Sequence, residues 1–233
     1  MASCGPRWPR FDSSATDPAG VRPPSYSRLI DSYSPPLYGL DIETDTTING
    51  LDPSVAPVVA VAISGPSGDW VLDGDEAVIL AETDRILAEI EPGVIVTWNG
   101  ANFDLPFLAD RARARGVCLG LRLQPAGTPG GHHEPLPGHP GSYRARWYDH
   151  GHLDAYQLYR ADVGAVVGLP CGLKPLSRHV GLPVVEVDRE RIHELSVEEQ
   201  RAYVASDAQL ARALAQRRPA ALNAVDQWTA SIG

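Results

Sequence analysis

The sequence lacks any long apolar run. Its first 19 residues hold no continuous hydrophobic stretch of the kind a secretory signal needs, and nowhere do about 20 apolar residues follow one another as a membrane span requires; the expectation is a soluble protein with no membrane partner. Cysteine is scarce. Cys4, Cys118 and Cys171 are odd in number, far apart and outside any CxxC spacing, which excludes a disulfide framework or a cysteine zinc site and suits a reducing cytoplasm. Lysine is nearly missing, Lys174 being the only one, and no internal repeat is visible. Basic charge is in short supply as well, because 20 Lys and Arg face 29 Asp and Glu for a formal net charge of −9. A nucleic-acid enzyme normally carries a basic footprint. A site that binds divalent cations through clustered carboxylates must itself be acidic, however, and local cations can still steer phosphates. The candidates are Arg111, Arg113 and Arg115, then Arg144 and Arg146, then Lys174 and Arg178. His132, His133, His139, His150 and His152 are spaced too irregularly for a zinc site.

What remains is an ordinary globular composition, at a length that buries one sizeable core. Residues 1–36 are rich in Pro, Ser, Arg and Asp without periodicity and read as a flexible N-terminal tail. A domain is expected over 37–218, followed by a C-terminal extension over 219–233. A strand is expected from Leu37, a nearly continuous apolar run over 57–64 marks a strand covered on both faces, and 69–72 returns antiparallel to complete a meander. Helical spacing over 76–90 stops at Pro92-Gly93, a short strand occupies 94–97, and a second helix runs from about Asp104 to Arg115 before Gly116. Residues 124–141 are Gly, Pro and His, too poor in apolar groups to pack, and read as a long surface loop. Further elements are a strand over 142–148, a strand passing into helix over 152–159, and a short helix over 173–180. Ser196, with Glu199 three residues on, caps a long helix over 197–217. Strands first, then alternating helices and strands, indicate an α/β fold with a mixed sheet flanked by helices.

Three groups of acids stand out. Asp41 and Glu43, two apart on a strand, present side-by-side carboxylates on one face, an arrangement that is costly without a cation and suits Mg²⁺ or Mn²⁺. Asp104 ends the segment Trp98-Asn99-Gly100-Ala101-Asn102-Phe103-Asp104 between a buried strand and a helix, where α/β proteins place functional groups. Tyr203 and Asp207 are four apart on the last helix and share a face. Each has an ordinary alternative: a solvated strand end, a helix N-terminal acid, or plain helix surface. Their conjunction in this order is what carries weight.

Asp41-Ile42-Glu43-Thr44, Asn99-Gly100-Ala101-Asn102-Phe103-Asp104-Leu105-Pro106 and Tyr203-Val204-Ala205-Ser206-Asp207 together resemble the three motifs of the DEDD 3′–5′ exonucleases, tyrosine subtype. The wording is similar to that of the proofreading exonuclease domain of family B DNA polymerases. The resemblance covers about Leu37 to Ala215 and implies a ribonuclease-H-like fold and two divalent cations, Mg²⁺ or Mn²⁺. It implies that Asp41 bridges both cations, that Glu43 and Asp207 complete the first, that Asp104 holds the second, and that Tyr203 aligns the attacking water. Asn99 and Phe103 fall where the family contacts the terminal nucleotide, and Thr44 and Lys174 are further candidates for substrate contact. The implied activity is hydrolysis of DNA, at single-stranded or frayed 3′ ends, to 5′-nucleoside monophosphates, with RNA the alternative substrate. A tyrosine of ordinary pKa near 10 is a poor base alone, so its role is chiefly orienting. Asp154 is expected to be a structural residue beside the site. No polymerase domain accompanies the motifs, so a stand-alone repair or proofreading nuclease is the expectation; no protein partner can be named. A metal-dependent glycosyltransferase would account for Asp41 and Glu43 but leaves Asp104, Tyr203 and Asp207 unexplained, and an inactive nucleic-acid-binding module has no use for four intact acids.

Overall fold

A computed structural model describes residues 35–126, 135–186, 196–219 and 225. The expected tail over 1–36, save its last two residues, lies outside them, as do 127–134 of the expected loop and most of the expected extension over 219–233.

Seven strands form one mixed sheet in the order β3-β2-β1-β4-β7-β6-β5. β1 (Leu37–Thr44), β2 (Val58–Gly65) and β3 (Gly68–Asp73) make the expected antiparallel meander. β4 (Val94–Thr97) joins β1 in parallel, and β7 (His150–Asp154) joins β4 in parallel. β6 (Tyr143–Trp147) and β5 (Leu121–Pro125) close the sheet antiparallel. β5 corrects the sequence reading: Gln124 and Pro125 pair with Arg144 and Tyr143 instead of opening a loop. Leu136, in the same stretch, is buried in the main core.

α1 (Glu76–Glu89), capped by Asp75, and α2 (Asp104–Arg115), ended by Gly116 in the left-handed region, cover one face of the sheet. Their apolar sides meet Leu40, Ile42, Val61, Ile63, Ile95 and Trp147. The other face carries α5 (Val197–Gln216), whose Ser196–Glu199 capping box is formed. Val204 and Ala208 of α5 pack on Ala60 and Ala62, and Ala211 and Ala215 on Leu37, Val94 and Val96. α3 (Ala155–Tyr159) runs into a π-helical segment, Arg160–Val167, that periodicity did not foretell, and α4 (Leu173–His179) follows. No helix among the described residues is long and apolar enough to cross a membrane.

Candidate active site

The site begins with β1. Alternation puts Leu37, Gly39, Asp41 and Glu43 on the α5 face of the sheet, and between Glu43 and Thr44 the register with β2 shifts by one residue, Val59 of β2 being skipped. Gly39 lets the helix come down. A Cβ there would stand 1.9 Å from the carbonyl oxygen of Ala208, so only the missing side chain allows α5 to rest on the strand. The residue before Ala208 is Asp207, which thereby arrives beside Asp41. Glycine inside an otherwise apolar strand is the sequence signal for such an approach, and sequence reasoning passed over it.

Asp104 enters from the opposite side of the sheet's carboxyl end. The turn before it is tight: Asn102 and Phe103 both donate backbone N–H groups to the Asn99 carbonyl, at 3.0 and 3.1 Å, and Leu105 donates to Gly100 at 3.0 Å. Asn99 has φ 72, a left-handed conformation that asparagine tolerates better than most residues. Asp154 holds this turn from β7. Its carboxylate accepts from the backbone N–H of Asn99 at 3.0 Å and of Ala101 at 3.1 Å, and it caps α3 as well. That is the near-site structural part expected of it.

Electrostatics record how the acids gather. Burial, then the nearby charges of Asp104, Glu43 and Asp207, hold the Asp41 carboxyl well above the usual range, with the Lys174 ammonium pulling the other way. Burial first, with Asp154 and Glu43 adding to it, pushes Asp104 up to about 7, against hydrogen bonds from its own backbone N–H and that of Ile42. Burial likewise raises Asp154 to about 6, despite the backbone N–H groups it accepts from. Asp104 and Asp207 are both buried, as is Tyr203 one turn before Asp207. Lys174 is no solvated lysine: only 13% exposed, it sits 3.4 Å from the Asp207 carboxylate and 3.7 Å above the centre of the Tyr203 ring.

Among the described residues, no three acid, histidine or cysteine side chains stand as an assembled metal cage. In donor type and charge the cluster nonetheless fits a hard divalent cation, because its oxygens repel one another and raise the cost of their own ionisation. The remaining candidates lie around it. The Thr44 hydroxyl donates to the Gly50 carbonyl at 2.7 Å, the Asn99 side chain accepts from Asn102 at 2.8 Å, and the Phe103 ring packs on Phe107 with centroids 5.3 Å apart.

Several suspected cations are placed elsewhere. Arg111 and Arg115 bind Glu76, and Arg113 binds Asp110 at 2.6 Å, so the first group of proposed phosphate-steering arginines is committed to ion pairs. Arg178 pairs with Glu186. His139 bonds Tyr143 and Asp110, His150 bonds Gly93 and Leu87, and His152 bonds Thr97; His132 and His133 lie outside the described residues.

The chain resembles known proteins in part of its sequence and in its fold. A model of the DNA polymerase family B exonuclease domain matches residues 71–133. DNA polymerase 2 of Aeropyrum pernix is 33% identical over 118 residues, which are 46% of this chain and 14% of that protein. The family B DNA polymerase from the hyperthermophilic archaeon Pyrobaculum calidifontis shares the fold with a TM-score of 0.57 at 22% identity, over 78% of this chain and 24% of that one. The chain thus spans only a small part of the length of these relatives. It has the α/β, ribonuclease-H-like fold of a polymerase exonuclease domain, and in sequence it is similar to the proofreading exonuclease domain of family B DNA polymerases.

Proposed function

We propose that the chain is a divalent-metal-dependent 3′–5′ exonuclease that releases 5′-nucleoside monophosphates from DNA. The observation that carries this reading is the company of Asp41: its charged neighbours are Asp104, Glu43, Asp207 and Lys174, drawn from four separate parts of the chain's topology. Asp41, Glu43, Asp104 and Asp207 would hold two ions, Mg²⁺ or Mn²⁺, and these would stabilise the charge developing on the entering and departing oxygens of the phosphodiester. The protein's own groups do the rest. Tyr203 orients the attacking water through its hydroxyl, its ring held in place beneath Lys174. Lys174 offers a cation to the phosphate undergoing attack and meanwhile offsets the charge of Asp207. Thr44, Asn99 and Phe103 would contact the terminal nucleotide, with Phe103 stacking on its base or sugar. The turn pinned by Asp154 keeps Asp104 aimed at β1.

Purified protein incubated with 5′-labelled single-stranded DNA or RNA, in Mn²⁺ or EDTA, tests the reading. The expected result is stepwise shortening from the 3′ end that EDTA stops, with DNA cut in preference to RNA. Asp41→Ala and Asp207→Ala should fall to background with the fold intact, and Tyr203→Phe should retain partial activity, losing roughly 10²-fold. Added Mg²⁺ should raise the melting temperature of the wild type and do so less in Asp41→Ala. Wild-type rates in both aspartate variants would end the proposal.

A further inference from the structure

The sheet register places three arginines on the same sheet face as the acids in a way that the sequence does not show. Val96 of β4 pairs with Leu153 of β7 and Val94 with Gly151, so the α5 face continues through these residues. Gly151 pairs with Arg146 of β6, and Arg146 lies directly opposite Arg122 of β5, with Gln124 opposite Arg144. Arg122, Arg144 and Arg146 therefore stand on the same sheet face as Asp41 and Glu43, beyond α5. The core-side residues of these strands, Leu121, Leu123, Ala145 and Trp147, point the other way. β6 is three strands from β1 and β5 four, and the register sets Arg144 level with Gly39 and both Arg146 and Arg122 level with Leu37, so the strip runs from about 16 Å to about 23 Å from Asp41.

Like charges directly opposite on a strand pair destabilise it, and these arginines run against the sign of a chain carrying a net −9. Arg122 and Arg144 are exposed. Arg146 is partly engaged, donating to the Tyr148 carbonyl at 2.7 Å and to Asp149 at 3.0 Å. Two clefts follow the strip. One, of about 560 Å³, is lined by Ala101, Asp154, Gln157 and Arg144 and so runs from the turn that aims Asp104 onto this face. The other, of about 410 Å³, is lined by Arg122, Arg146 and Tyr148.

We propose that the β5–β6 face, through Arg122 and Arg144 with Arg146 beside them, is the track on which the phosphodiester backbone of the single strand lies as it leads its 3′ end into the acid cluster. The inference rests on the exonuclease reading for its direction. The charge complementarity and the shared face are independent of it. Guanidinium groups in a row suit successive phosphates, bonding each in a fork without reading the bases.

Arg122→Gln combined with Arg144→Gln tests it, since both side chains are exposed and neither belongs to the buried core. The primary measurement is binding of a labelled single-stranded DNA of about 12 nucleotides in EDTA, as a function of salt, alongside a labelled dinucleotide. Affinity for the long strand should fall roughly tenfold, and the dependence of log K on log salt should become shallower by about 1.4, at about 0.7 for each of the two phosphates that the variant no longer neutralises. Dinucleotide binding should be unchanged, and so should the melting temperature, or it should rise slightly as the like charges are removed. In Mn²⁺, KM for the long strand should rise with kcat unaltered. An unchanged salt slope, equal losses on both substrates, or a wild type that does not bind the long strand would overturn the track. Salt-dependent binding that the variant loses, with no hydrolysis by the wild type, would instead count against the catalytic reading and leave the track standing.

Discussion

Replacing Glu76 with alanine should cost the fold about 3–5 kcal/mol, the usual result of leaving a buried charge without its partner. The carboxylate is 3% exposed and the guanidinium of Arg111 9%. Arg111 Nε donates to it at 2.7 Å and Nη2 at 2.8 Å, Arg115 Nε donates at 2.5 Å, and the backbone N–H of Val58 at 2.8 Å. Burial alone would raise the Glu76 carboxyl, but the bonds from Arg111 and Arg115 outweigh it and the net shift is downward. The alanine variant removes the acceptor of all four bonds and strands the Arg111 charge inside. For a folded body of this size each kcal/mol lowers the melting temperature by about 2–4 °C, so a fall of roughly 6–20 °C is expected. Glu76→Gln, which keeps the volume and an acceptor for Val58, should lie in between. The combination Glu76→Leu with Arg111→Met should recover most of the loss, because the pair attracts little more than its desolvation costs. Urea midpoints on the wild type, Glu76→Leu, Arg111→Met and their combination close the cycle. A loss below about 1 kcal/mol for the alanine variant, or strictly additive losses in the double variant, would refute the reasoning. The consequence reaches the site: Arg111 Nη1 also donates to the Pro53 carbonyl at 2.9 Å, steadying the connection that leaves the acid cluster at Thr44.

Gly39→Ala should lower stability by about 1–3 kcal/mol or more and lift α5 off β1, since the new methyl would fall 1.9 Å from the Ala208 carbonyl oxygen; a melting curve matching the wild type would show that the helix is not seated so closely. His152 is buried against the Thr97 hydroxyl at 2.8 Å, and burial depresses its pKa to about 3. Its neutral form therefore favours the fold above the unfolded value of about 6.5, and stability is lost below that pH at up to about 1.4 kcal/mol per unit. The raised carboxyls of Asp104, at about 7, and Asp154, at about 6, act with the opposite sign, because their charged forms burden the fold at higher pH. The difference between wild type and His152→Gln isolates the histidine. Urea midpoints from pH 7 to 4 should fall more steeply in the wild type, and parallel curves would refute the assignment.

Most of the regular structure was readable from local patterns. The continuous apolar run of β2, the spacing of α1 and the Ser196–Glu199 box of α5 are properties of neighbouring residues, and their elements formed where expected. β5 was not readable, because Leu121–Pro125 alternates over five residues only and ends in proline before a Gly-rich stretch. Arg111 and Arg113 looked alike in sequence, yet one is buried on Glu76 while the other lies on the surface beside Asp110. Helical spacing says which residues share a side, not what that side meets.

Read alone, the chain specified the chemical types at Asp41, Glu43, Asp104, Tyr203 and Asp207 and the elements that bear them, since strand and helix periods act over a few residues. The folded arrangement settled that Asp207 reaches Asp41 over a bare Gly39, that Asp154 braces the turn before Asp104, and that Arg122 joins Arg144 and Arg146 on the acids' own face. Those meetings join residues tens of positions apart or more. They depend on strand order and register across the whole sheet, which no local pattern encodes.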